Sequence, residues 1–343
     1  MASVFDKLVG KQLITEYPGF MKNNVHYEAM VGSVAYGVSQ DSSDIDIYGF
    51  CMPPKHILFP YQSGAILGFG RQPEAFNQFQ KHHIKEVGAE KEYDISIFNI
   101  VRFFQLCMES NPNMVDSLFV PQRCVLHCSE LGQYVRENRK LFLSKLAWHK
   151  FKGYAYSQQT KMNDKAAKEF VDLCTANDWP LDITYDQARK ETDDEYVKNI
   201  FRRIDQSGIR TKRLKGIQTY GYDVKFATHL VRLLEEVQQI LEEGDLDITR
   251  NSELLKTIRS GAWSQQQVNE YFDNKMKVLE SVYEKSTLPH KPREAEIKNL
   301  LIECIQYHYG PDAIEKTVNL SGSAVQNIWR LKDIVDNMVR DLK

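Results

Sequence analysis

The chain has almost no excess of charge of either sign. Its 343 residues include 44 Lys and Arg against 46 Asp and Glu, a formal net charge of -2. Bulk attraction to nucleic acid is therefore not expected, and any basic binding surface has to be local. Long hydrophobic runs are missing too. None approaches the ~20 residues that cross a bilayer, so no membrane partner is expected. The opening MASVFDKLVG lacks the basic stretch and apolar run of a secretory signal. Cysteine is sparse and scattered, six in all, which predicts free thiols in a reducing cytoplasm and no disulfide-linked partner. Cys124 and Cys128 flank His127 in CVLHC, but no second ligand pair follows at zinc spacing, so these read as structural residues of a strand or loop. Repeats, heptads and low-complexity tracts are absent. What remains is an ordinary globular balance, 42% hydrophobic and 26% charged, enough for one large domain or two modest ones.

The character of the chain changes along its length. Residues 25–100 carry the strand signals. VHYEAMVGS and DIDIYGFCM are apolar or alternating, β-branched, and bounded by Gly, Ser and Pro. HHIKEV and EYDISIF predict two further strands around Gly88. A helix is expected over ISIFNIVRFFQLCMES, closing at NPN, and a short one over MVDSLFV before Pro121. From about residue 130 the periodicity is helical. DVKFATHLVRLLEEVQQILEEG has apolar residues at helical spacing and a closing Gly. NSELLKTIRSG offers a Ser cap and a closing Gly. The tail, SGSAVQNIWRLKDIVDNMVRDLK, is amphipathic, and STLPHKPRE is the best late boundary. The expected fold is α+β: a small mixed sheet core over 1–125 and a helical domain over 126–343 that contributes to the same cleft.

The chemistry concentrates in GSVAYGVSQDSSDIDIYGF. Asp44 and Asp46 lie two apart on a strand, so both project from one face while Ile45 and Ile47 anchor the other. Adjacent carboxylates repel, more so when partly buried, and a divalent cation relieves the repulsion. Mg²⁺ takes a few carboxylates and completes its shell with water and substrate phosphates. The bland alternative is a solvated edge strand. Upstream, Gly32 permits a tight turn and close approach to an anion. Backbone N–H groups and the Ser33 hydroxyl can then hold a phosphate, particularly at a helix start, and Gly37 keeps the next turn open. Phosphate cradle followed by paired carboxylates is what nucleotidyl transfer requires. Asp94, in EYDISIF, is the natural third carboxylate; its alternative is to cap the helix that follows.

With these residues in view, GS…G…SDIDIYG resembles the signature of the DNA polymerase beta-like nucleotidyltransferase superfamily. More narrowly, GSVAYGVSQDSSDID, YDISIFNIVRFFQLCMESNPNMVDSLF, GYDVKFATHLVRLLEEVQQIL and LLKTIRSGAWS resemble the RlaP-like group associated with RNA-repair operons. These stretches cover most of residues 28–265. The resemblance implies a small mixed sheet with helices on one face and a helical partner region. It also implies transfer of a nucleoside monophosphate from a triphosphate such as ATP, dependent on Mg²⁺ (or Mn²⁺). Gly32 and Ser33 would then serve as the phosphate turn, and Asp44, Asp46 and Asp94 as metal ligands and catalytic carboxylates. The acceptor does not carry over; an RNA end, another nucleotide or a protein hydroxyl all remain open.

Lys225, His229 and Arg232 occupy one narrow stripe of the expected helix in GYDVKFATHLVRLL. They suit a triphosphate, the Lys as a point charge and the Arg as a fork; a solvated charged face is the alternative. Arg210, Lys212, Arg213 and Lys215 in IRTKRLK form a second basic group, read as a solvated surface in preference to a nucleic-acid contact. His82 and His83 alternate faces of a strand; they are expected at the surface, the alternative being that one of them approaches the active site. Lys152 and Tyr154 are expected to pack. Two other functions compete with an RNA-directed transferase. One is a nucleotide sensor or binding subunit without turnover, against which all three acidic positions being filled is an argument. The other is transfer of AMP to a partner protein, as in antitoxin-type members of the superfamily, whose chains are usually much shorter.

Overall fold

A serine opens the fold. Ser3 accepts a hydrogen bond from the Asp6 amide at 3.0 Å and caps α1 (Val4–Gly10). Glu28 meets the same helix end, its carboxyl oxygens accepting from the Val4 and Phe5 amides at 2.5 and 2.8 Å. The exposed amides at a helix start favour such an acceptor. Glu28 is fully buried, and burial pushes its carboxyl up to about 7 against the pull of those amides. The computed structural model describes residues 2–310, apart from 40–43, 65, 67, 71–74, 87, 89–91 and 210. The expected tail helix over 321–343 lies outside the described residues.

Next come β1 (Val25–Val31), α2 (Gly32–Ala35), β2 (Ile45–Cys51), α3 (Lys55–Leu58), β3 (Gln78–Lys85), β4 (Glu92–Asn99), α4 (Ile100–Met108), α5 (Pro112–Phe119) and β5 (Val125–Cys128). They form a five-stranded sheet in the order β3-β4-β2-β1-β5. The β2–β4 pair is parallel and the others antiparallel. The expected mixed sheet is therefore present, with its last strand beginning at the 125/126 division and drawn from CVLHC. There His127 Nε2 lies 3.0 Å from the Val25 carbonyl.

Helices cover both faces of this sheet, where one was expected. On one face Phe5 and Leu8 of α1 pack with Ile47, Ile95 and Ile97. On the other, Phe50 meets Tyr27 and Phe103, with ring centroids 5.8 and 5.0 Å apart. That double burial explains the misplaced helix start. Ile95 to Asn99 are all buried and continue β4; a central strand buried on both faces reads as a continuous apolar run, which periodicity does not separate from a helix. The cap of α4 is Asn99, which accepts from the Val101 amide. Asp94 is therefore a mid-strand residue and no helix cap.

The remaining described elements are helices: α6 (Glu130–Glu137), α7 (Leu146–Met162), α8 (Lys165–Ala176), α9 (Tyr185–Glu191), α10 (Glu195–Ser207), α11 (Thr211–Tyr220), α12 (Val224–Glu243), α13 (Ser252–Arg259), α14 (Gln265–Lys285) and α15 (Glu294–Tyr309). Helices α8 to α11 enclose their own core around Phe170 and Phe201. Helix α12, closed by Gly244 in the left-handed conformation, packs against α7, α13 and α14. It is buried on several sides, Arg232 and Glu236 included. At α13 the cap position belongs to Asn251, not Ser252. Chain contacts divide the protein into two compact units, Met1–Leu301 and Ile302–Lys343; the sheet and the helices through α14 belong to the first.

Candidate active site

The turn after β1 presses on the carboxylates. Gly32 has φ +66, and a Cβ there would stand 2.5 Å from Asp46 Oδ2. Only glycine meets both conditions without strain. Val31 pairs with Asp46 across β1–β2, which explains the approach. Helix α2 starts at this glycine without a side-chain cap, and the turn closes through the Val38 amide to the Ser33 carbonyl at 2.9 Å. Gly37, at φ +72, is the second tight point: a Cβ there would lie 3.1 Å from Ser252 Oγ.

Asp46 and Asp94 are register partners on the parallel strands β2 and β4, so their side chains leave the same face side by side. Burial raises the Asp46 carboxyl to about 6, with the Asp94 charge next in size and Asp44 adding; Lys225 and His82 pull it the other way. Asp44 is exposed just ahead of β2. Asp94 accepts from the His83 amide at 2.8 Å and faces His82 Nδ1 at 3.3 Å.

A β-bulge makes that last arrangement. Lys81 lies opposite Ile95 and Ile84 opposite Tyr93, so two histidines oppose the single Asp94 and His83 takes φ +55. An extra residue in one strand re-aims its side chains. The expected alternation of His82 and His83 is lost in this way, and His82, although half exposed, turns to the carboxylate.

The donors at this face are carboxylate oxygens, one held high by burial and then by its neighbour's charge, which suits a hard divalent cation. Asp46 and Asp94 form a pair that fits Mg²⁺, an ion that commonly keeps water and phosphate in the rest of its shell. Among the described residues no group of three His, Cys, Asp or Glu stands close enough together to hold a metal ion. The structure thus brings two of the three expected carboxylates into register, with Asp44 beside them at the exposed strand start.

The basic stripe divides. Lys225 is exposed in the first turn of α12 and acts electrostatically on Asp46. His229 is largely enclosed, and burial with the nearby charges of Arg232, Lys225 and Arg259 lowers it to about 3, so it is a neutral imidazole near pH 7. Arg232 lies inside. Its guanidinium bonds to Asp116 and to the Tyr36 hydroxyl, approaches Glu236 at 3.4 Å, and stacks on the Tyr36 ring at 4.3 Å. It is no free fork for a phosphate, because a helix covered on several sides turns the i+7 position inward.

Arg259, at the end of α13, is a residue that the sequence did not single out. It is half-buried and burial lowers its guanidinium; among the described residues it makes no ion pair. Only its closing position in LLKTIRSG hints at it. In the second basic group Arg213 pairs with Asp223, the α12 cap, and stacks on Phe226 at 4.3 Å. Lys212 and Lys215 are exposed, and Arg210 lies outside the described residues. Lys152 stacks on Trp148 at 4.9 Å, while Tyr154 is exposed.

The mixed sheet with in-register aspartates on its parallel pair, reached by a Gly-Ser turn, agrees with the polymerase beta-like class that the motifs resemble. The chain belongs to the RlaP family, the RNA repair pathway DNA polymerase beta family, whose pattern matches residues 11–320. No curated protein matches it. All six cysteines are free thiols, and among the described residues no helix is long and apolar enough to cross a membrane.

Proposed function

We propose that the protein transfers a nucleoside monophosphate from a nucleoside triphosphate to a hydroxyl acceptor, in the first instance an RNA end in the cytoplasm, releasing pyrophosphate. The carrying observation is the registered pair Asp46 and Asp94 with the Gly32 backbone pressed against Asp46. In the transfer, the acceptor oxygen forms a bond to the α-phosphorus, the bond from that phosphorus to the bridging oxygen of the β-phosphate breaks, and the acceptor proton passes to a carboxylate, for which Asp94 is our assignment.

Asp46 and Asp94 would hold Mg²⁺ or Mn²⁺, which supplies neutralisation of charge on the phosphates and the attacking oxygen; Asp44, exposed at the strand start, would join them only by moving toward the pair. Gly32 and Ser33 seat the β- and γ-phosphates through backbone amides and the hydroxyl. Lys225 and Arg259 add positive charge at the end of the cleft nearest α12 and α13, beside the neutral His229. Catalysis of this kind is positioning and charge stabilisation, and needs no Cys or His nucleophile.

One observation favours a second reading, nucleotide binding without turnover: Asp44 stands exposed and Asp94 is engaged by His82 and His83. The test is incubation of wild type and Asp46→Asn with each α-labelled ribonucleoside triphosphate, Mg²⁺, and cellular RNA and protein. Label in RNA with wild type alone supports the transferase and its acceptor; label in protein alone replaces the acceptor. Mg²⁺-dependent triphosphate binding without any transfer supports the second reading.

A further inference from the structure

Tyr36 ends the turn that carries Gly32 and Ser33, and residues distant in sequence converge on it. It is buried. Its hydroxyl donates to Asp116 Oδ2 at 2.6 Å and accepts from Arg232. Its carbonyl lies 2.8 Å from Ser252 Oγ, whose one proton is shared with the Thr249 carbonyl at 2.5 Å. The guanidinium of Arg232 also covers its ring. One residue of the turn is thus held by α5, α12 and α13 together, while the far end of the turn, Gly32, leans on Asp46.

The network is a poor stabilising device. Asp116 Oδ1, Arg232 Nε and Glu236 Oε2 are buried without a hydrogen-bond partner among the described residues. Burial raises the Glu236 carboxyl well above its ordinary value and raises that of Asp116 as well, against the pull of Arg232. Desolvation of buried ion pairs commonly offsets their attraction, and what they retain is geometric definition. Here the geometry defined is that of the turn.

We propose that Arg232 and Ser252 are positioning residues that act through Tyr36 to hold the Gly32–Gly37 turn in its phosphate-seating shape. The claim rests on the reading of that turn as the phosphate seat. It assigns Arg232 a different task from the one its place on the basic stripe suggested: it grips the cradle and leaves the phosphate to others. The helical half of the molecule thereby sets the shape of a loop in the sheet half.

The test uses the full chain with Tyr36→Phe and Ser252→Ala, each of which removes a single hydroxyl and leaves the Arg232–Asp116 pair in place. The Tyr36, Gly37 and Val38 amides bond to Gly32, Val34 and Ser33 carbonyls, so their hydrogen exchange reports the turn without any nucleotide. Tyr36→Phe removes the hydroxyl's bonds to Asp116 and Arg232, and Ser252→Ala the bonds to the Tyr36 and Thr249 carbonyls; either loss predicts exchange at these amides faster by at least about five- to tenfold, with α5 and α12 unchanged, and Mg·ATP affinity reduced by a similar factor. Unchanged exchange at the three amides overturns the proposal, as does uniform loosening of α5 and α12, which marks a merely structural cross-link. Faster exchange at the turn with Mg·ATP affinity equal to wild type overturns it as well. If wild type itself binds no triphosphate, the transferase reading fails, and the exchange pattern still decides whether Tyr36 is the clamp.

Discussion

Asp46 and Asp94 stand directly opposite one another on neighbouring parallel strands, and burial together with the Asp94 charge raises the Asp46 carboxyl to about 6. Asp46→Asn removes half of this pair without changing its shape. We expect transfer to fall by at least roughly 10²- to 10³-fold, the scale of losing one group that stabilises transition-state charge. Mg²⁺ should raise the melting temperature of wild type through binding linkage and that of the variant much less. Transfer at the wild-type rate in Asp46→Asn rejects the carboxylate assignment.

Gly32→Ala adds a methyl group where there is room for none, at φ +66 and 2.5 Å from Asp46 Oδ2. The left-handed conformation alone costs about 1–2 kcal/mol for a residue with a Cβ. The free energy of unfolding, measured by denaturant titration, should fall by at least that much, and activity should fall further because Asp46 is displaced. A variant as stable and active as wild type shows that the turn does not abut the carboxylate.

Lys225→Ala and Arg259→Ala should weaken triphosphate binding without unfolding the protein. A charge-assisted contact contributes roughly 1.5–3 kcal/mol, so KM for the triphosphate should rise about tenfold or more while binding of the nucleoside is spared. Equal affinity for triphosphate in wild type and both variants assigns these cations to the surface.

Glu28 makes folding sensitive to pH. Its carboxyl titrates near 7 in the folded protein against an ordinary value of 4.5. Between those values the folded state keeps a proton that the unfolded state has lost. This contribution is fully present below pH ~4.5 and declines as pH rises through ~7, by on the order of 3 kcal/mol. Melting temperature measured from pH 5 to 8 should fall more steeply in wild type than in Glu28→Gln. Parallel profiles remove Glu28 as the cause.

Much of this site was legible before any coordinates. The Gly-Ser turn, the Asp-x-Asp pair and the strand carrying Asp94 follow from glycine punctuation and β-branched alternation, both local signals. The strand that overran into an expected helix was not legible, because a strand buried on both faces loses its alternation. Neither was the His82–His83 bulge, which depends on cross-strand register and leaves no mark in composition. Arg232 was misdirected for a third reason. A helical stripe shows which residues share a face, but not whether another element covers that face, and Arg232 is met by Asp116 of α5 and Tyr36 of the turn. Arg259 escaped notice because a single arginine near a helix end has no pattern in sequence; its burial is visible only in the fold.

The grip on Tyr36 by Asp116, Arg232 and Ser252 also has a consequence in time. A chain leaving the ribosome has already exposed both registered aspartates once residue 94 has emerged. The groups that hold the turn arrive much later, the last of them with α13. A nascent or prematurely terminated polypeptide therefore carries the acidic pair without its companion loop in working shape. The contacts that hold the turn are thus complete only after residue 252 has been made.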